Sequence, residues 1–220
     1  MKLYSAIIFD MDGVLVDSEP YHIKAEKELF RKVGLDIPEE EHAGYTGTAT
    51  DVMWREIIRL HKLDISIDEI VALNYRESEK YFLSLPQIPP MPGLVVLLDW
   101  ATDTGISMAV ASSSVPKVID IIMEKTGLRK YFRQVVSSQV VGKSKPEPDI
   151  FLYTADQLSV PPEQCIVIED STNGIKATKS AGMFCVAYCG TSSCSRDTAQ
   201  ADLQITDFKD LKPILENMFC

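Results

Sequence analysis

Four consecutive apolar residues, Ala6-Ile7-Ile8-Phe9, end abruptly at Asp10-Met11-Asp12-Gly13, and that contrast constrains the whole chain. A run without polar alternation reads as a strand covered on both faces, as in a parallel sheet. Similar runs recur at Ser107 to Ala111, Val135-Val136, Cys165 to Ile168, Phe184 to Tyr188 and Leu203 to Ile205. Helix-like stretches accompany them at Leu94 to Thr104, Pro116 to Thr126, Asp149 to Leu158, Thr172 to Ala181 and Lys209 to Met218. Gly105, Gly127 and Gly182 supply stop signals. Strands alternating with helices predict an α/β fold, a doubly wound parallel sheet.

One segment breaks the alternation. From Leu15 to Met91 only helical periodicity appears, as in Tyr21 to Val33, Thr50 to His61 and Asp68 to Leu83. The Pro-rich stretch Pro86 to Gly93 reads as a stiff return linker. The expected organisation is therefore a core from residues 1–14 and 92–220, with a helical domain of residues 15–91 inserted after the first strand. Trp54 and Trp100 fall on apolar helix faces and read as core residues.

Composition narrows the function. The 220 residues carry 22 basic and 32 acidic side chains, net -10, with no basic stripe. That balance argues against a nucleic-acid or anionic-membrane partner. No apolar run reaches the roughly 18 residues of a membrane helix, and the carboxylate at Asp10 comes too early for a signal peptide. A cytoplasmic monomer is expected. Cys165, Cys185, Cys189, Cys194 and Cys220 are odd in number and bunched late in the chain. They read as buried or incidental thiols rather than a disulfide framework or a zinc site.

Ligands of open parallel sheets bind beyond the carboxyl ends of the strands. The first strand ends in Asp10 and Asp12, the second in Ser112-Ser113-Ser114, and the fourth in Glu169-Asp170, while Lys145-Pro146 follows the third after a loop. Carboxylates brought together cannot all stay ionised without a cation. An all-oxygen site with room for water suits Mg²⁺. A lysine and hydroxyls beside that ion make a site for phosphate. One carboxylate can then attack phosphorus, and another can transfer the proton. Taken singly, each element has a plain structural reading: Asp12-Gly13 as a turn, the serines as a helix cap, Glu169-Asp170 as a helix start. Gly142-Lys143-Ser144 mimics the end of a P-loop, but Ser137 stands where that motif needs glycine and Lys145-Pro146 where it needs a helix.

Four segments resemble, in order, the four motifs of the haloacid-dehalogenase (HAD) superfamily. They are Phe9 to Ser18, Val110 to Ser114, Lys145-Pro146-Glu147-Pro148-Asp149, and Ile168 to Ser171 with Asn173-Gly174. The helical insert resembles the small alpha-helical cap of the β-phosphoglucomutase-like subfamily. The resemblance implies Asp10 as nucleophile, Asp12 as general acid/base, and Ser112, Ser113 and Lys145 on the phosphoryl oxygens. It implies Mg²⁺ held by Asp10, the Asp12 carbonyl and Asp170, with Glu169 as a ligand or one step behind. Asp17 and His22 would shape the site where insert meets core, with paired hinges at Val14 to Asp17 and Pro86 to Gly93. His22 alone reads equally as a helix histidine with its needs met locally.

A phosphorylated small-molecule substrate follows, and with it two enzymatic readings: an aspartyl-phosphate phosphatase, or a β-phosphoglucomutase. A mutase holds a second phosphate on added basic groups. The loop Tyr45-Thr46-Gly47-Thr48-Ala49-Thr50 offers no such base. Ser114-Val115-Pro116 likewise departs from the mutase-like Ser-Lys-Asn. Hydrolysis is the favoured reading. A phospho-acceptor signalling module shares the acidic pocket but has no insert after its first strand.

Overall fold

The computed structural model describes residues 3–45, 48–190 and 197–219. It divides into two compact units, Met1–Ser18 with Gln87–Cys220, and Glu19–Pro86. These boundaries differ from the expected 14/15 and 91/92 because the turn after the first strand closes on the core unit. The Gly13 N–H donates to the Val16 carbonyl at 2.8 Å, and the Met91 N–H donates to the Leu15 carbonyl at 2.8 Å. Leu15, Val16 and Met91 are buried.

The first unit is an α/β fold built on six parallel strands: β1 (Ala6–Phe9), β2 (Ser107–Ser112), β3 (Gln134–Ser137), β4 (Cys165–Glu169), β5 (Phe184–Tyr188) and β6 (Leu203–Ile205), ordered β3-β2-β1-β4-β5-β6. All four residues of β1 are buried, as the unbroken apolar run requires. Side chains alternate along a strand, and Ala6 and Ile8 join one core cluster with Ala109, Ala111, Val167, Ile150, Phe151 and Ala177. The helical members of that cluster come from α7 (Asp149–Leu158) and α8 (Thr172–Ser180). Right-handed crossovers put α5 (Leu94–Asp103) and α6 (Pro116–Thr126) on the other face, where Phe9 meets Phe132 edge-on. The terminal helix α9 (Phe208–Met218) packs on α5.

The second unit holds α1 (Glu19–Lys32), α2 (Glu39–Ala43), α3 (Thr50–His61) and α4 (Ile67–Ser84). Its core is Leu29, Phe30, Met53, Trp54, Ile57 and Ile70. The Ser66 hydroxyl caps α4 by accepting the Glu69 N–H at 3.2 Å. The short helix α2 was not expected, since five residues are too few to show a period; its first turn is three glutamates, which favour a helix N-terminus. Buried His42 packs edge-on against Phe30 and pairs with Glu26 at 2.7 Å. No described helix is long and apolar enough to cross a membrane.

The cysteines divide. Cys165 and Cys185 are free and buried, and burial pushes both thiols up to about 12. Cys189 is disulfide-bonded, which corrects the expectation of a thiol there; a single late cysteine among irregular spacings carries no signal of its bond. Cys194, Cys220, Thr46 and Gly47 lie outside the described residues.

Trp54 is fully buried and its indole N–H donates to the Asn74 carbonyl oxygen at 3.0 Å. Trp54→Phe strands that buried acceptor, so the variant is expected to lose about 1–3 kcal/mol of stability, read from urea denaturation by far-ultraviolet circular dichroism.

Candidate active site

Sheet register assembles the site. Phe9 pairs with Val110 on one side and Ile168 on the other. One step further brings Asp10 level with Ala111 and Glu169. The Asp10 N–H continues the ladder by donating to the Ile168 carbonyl at 2.9 Å. This is the point where the strand order reverses, between β1 and β4, the usual crevice of such sheets. Asp170 follows at once from β4. Asp10, Glu169 and Asp170 are all buried, with one oxygen of each within 4.8 Å of the others.

The turn after β1 makes room for this cluster. Val14, Leu15 and Val16 all aim their N–H groups at the Met11 carbonyl, at 3.4, 2.9 and 3.2 Å. Gly13 sits at φ 82°, and a Cβ there would lie 2.2 Å from Asp170 Oδ2. Glycine is therefore required twice over, by conformation and by space.

Lys145 crosses the cluster. Its ammonium donates to Asp10 Oδ1 at 2.5 Å, to Glu169 Oε1 at 2.5 Å and to the Ala111 carbonyl at 3.2 Å. Burial works against the charged lysine, but Asp10 and Glu169 outweigh it and hold the ammonium above its ordinary range. Burial pushes the Asp10 carboxyl well above its usual range; Lys145 opposes this, while Glu169, Asp12 and Asp170 add to it. Three buried carboxylates thus lie together, and the ammonium of Lys145 pairs with two of them, Asp10 and Glu169. An all-carboxylate set with too little positive charge fits a hard divalent cation, whose charge would restore the balance.

Glu169 is fixed from its other end too. The Ser171 N–H and hydroxyl donate to Oε2 at 2.9 and 3.0 Å. The Ser171 hydroxyl in turn accepts the Gly174 N–H at 3.0 Å and so caps α8. Asp12 is held by hydroxyls instead. Ser18 Oγ donates to Oδ1 at 2.5 Å, and Ser114 Oγ to Oδ2 at 2.8 Å. Ser112 Oγ lies 3.4 Å from Oδ2 and accepts the Ser114 N–H at 3.0 Å.

Asp10, Asp12, Ser112, Lys145, Glu169 and Asp170 thus come together. Ser113 does not join them; it is exposed, because alternation beyond β2 turns it away from the side that Ser112 and Ser114 share. Asp17 is exposed on the same unit. His22 belongs to the helical unit, where its ring packs edge-on against Phe82 at 4.9 Å. The grip of Ser18 and Ser114 on Asp12, and of Ser171 on Glu169, was missed as site structure; its only sequence signal is hydroxyls beside each carboxylate.

Gly174 matters for the same reason as Gly13. A Cβ at 174 would fall 1.8 Å from Glu169 Oε1, the oxygen that Lys145 holds. Gly174→Ala is expected to destabilise the chain by roughly 1–3 kcal/mol through overpacking, measured as a lowered midpoint in chemical denaturation.

Comparison with known proteins agrees with this arrangement. Residues 7–188 match the family model described as haloacid dehalogenase-like hydrolase. Fructose-1-phosphate phosphatase YqaB of Escherichia coli is 34% identical over 83% of this chain and 95% of its own length. Beta-phosphoglucomutase of Bacillus subtilis is 31% identical over 82% of this chain and 81% of its own. Among solved structures, CbbY from Rhodobacter sphaeroides in complex with phosphate superposes with a TM-score of 0.84 at 28% identity, covering 94% of this chain and 96% of that one. With its motifs gathered at one end of a doubly wound sheet, this chain belongs to the haloacid dehalogenase-like hydrolase family.

Proposed function

We propose that this protein is a Mg²⁺-dependent phosphatase of small sugar phosphates. The observation that carries the reading is the Lys145–Asp10 pair: a buried carboxylate anchored through one oxygen, inside a cluster of acids at the switch point of the sheet. The similarity to a fructose-1-phosphate phosphatase supplies the substrate class.

In this reading Asp10 attacks the phosphorus of the bound ester, and the bond to the sugar oxygen breaks. Asp12 gives that oxygen its proton, so the sugar leaves as an alcohol. Asp12, now ionised, takes a proton from water as the water attacks the aspartyl-phosphate, releasing inorganic phosphate and restoring Asp10. The hydroxyls of Ser18 and Ser114 fix the direction of the Asp12 carboxylate. Lys145 fixes the rotation of Asp10 and, with Ser112, meets phosphoryl oxygens. Asp10, Asp170 and the Asp12 carbonyl would hold Mg²⁺, which would supply charge neutralisation for the incoming phosphate; Glu169 orients Lys145. Asp17, exposed on the unit that carries the site, acts on substrate fit, not on bond cleavage.

The test is ³¹P NMR of the purified chain with fructose 1-phosphate and, separately, β-glucose 1-phosphate. Inorganic phosphate is expected with Mg²⁺ and not with EDTA, and glucose 6-phosphate should not accumulate. Accumulated glucose 6-phosphate with little free phosphate would identify a mutase instead. Asp10→Asn is expected to lower turnover by about three orders of magnitude or more with an unchanged circular dichroism spectrum; substantial residual turnover would remove Asp10 as nucleophile.

A further inference from the structure

The three N–H bonds of the Lys145 ammonium are all directed at oxygens: Asp10 Oδ1, Glu169 Oε1 and the Ala111 carbonyl. Beside them lies an aromatic ring, that of Phe151, whose centroid is 4.9 Å from Lys145 Nζ. Phe151 is fully buried and sits in the first turn of α7. It packs in the same cluster as Ile8, Ala111 and Val167, from the three strands that carry the site. That packing leaves the ring no room to turn aside.

We propose that Phe151 is a positioning residue, which seats the Lys145 ammonium on the negative face of its ring. The proposal rests on the phosphatase reading for its catalytic consequence. If Lys145 meets a phosphoryl oxygen, it gives up one of its three present partners, and the longest of them is the Ala111 carbonyl at 3.2 Å. Throughout that exchange the ring attraction persists, since it uses the face of the π system and none of the three N–H acceptors. An aliphatic side chain at 151 would fill the same space yet leave the buried ammonium with hydrogen bonds alone. In a site shielded from water, a cation–ring contact is stronger than at an exposed surface.

Substitution with 4-fluoro-, 3,5-difluoro- and 3,4,5-trifluorophenylalanine at position 151 weakens the ring face stepwise with little change of shape. The expected result is a stepwise fall in kcat/KM for fructose 1-phosphate, about tenfold across the series, as the ammonium loses its seat, with a small parallel fall in melting temperature. Phe151→Leu is expected at the low end of that series. Rates that stay level across the fluorinated set would overturn the proposal, because a purely space-filling ring would give that result. The ¹⁵Nζ and ¹Hζ NMR signals of Lys145 provide a readout without turnover, expected to shift with each added fluorine. If the wild-type chain hydrolyses no sugar phosphate, the phosphatase reading fails, and these signals still decide the ring contact: an unmoved Lys145 resonance sinks it.

Discussion

Everything at this site depends on one buried lysine between two buried carboxylates. Ionised groups are costly to take out of water unless paired and hydrogen-bonded. Lys145, Asp10 and Glu169 meet that condition only in one another's company. Each reaches the meeting point by a different route: Asp10 just beyond the end of β1, Glu169 as the last residue of β4, and Lys145 from the loop before α7. Removing any one leaves the others with charge in the wrong place. The arrangement is thus a structural requirement of the folded core as well as a chemical device. The same holds for the glycines, since Gly13 and Gly174 leave the space that Asp170 and Glu169 occupy.

The sequence is legible where a physical contrast is sharp. An unbroken apolar run ending in a carboxylate can scarcely be anything but a central strand delivering an acid to its end. That contrast marks Asp10 and Glu169, and the family motifs follow it in order. The strand at Gln134–Ser137 reads less clearly, because only Val135-Val136 is apolar and the strand extends a residue beyond each. Legibility fails where the deciding fact is a distance between remote residues. Ser114 reads as one of three serines; the β1–β2 register and alternation turn it toward Asp12 and its neighbour Ser113 toward solvent. Phe151 reads as an ordinary apolar position of an amphipathic helix, and only the path of the preceding loop brings the lysine over its ring.

This chain is similar both to a relative named a fructose-1-phosphate phosphatase and to one named a beta-phosphoglucomutase. That is what the geometry of the core leads one to expect. The two reactions have the same first half, and they diverge only in which hydroxyl meets the aspartyl-phosphate. In the proposed reading, the residues gathered around Asp10 serve that common half. Val115 stands where a mutase-like sequence carries lysine.

The link between Leu15 and Met91 bears on how the chain folds. These residues lie on either side of the inserted helices, yet their backbones are hydrogen-bonded inside the core unit. Until the insert has structure, forming that bond closes a loop of about 75 residues, at an entropic cost that rises with the logarithm of loop length. The insert has its own hydrophobic core, and its first and last helices, α1 and α4, pack on one another. With α1 packed on α4, and Tyr21 of the one against Phe82 of the other, the two ends of the insert are held near each other, and the bond closes at a smaller entropic cost. An insertion that interrupts the sequence of the sheet thus offsets part of its own entropic cost by packing its two ends together.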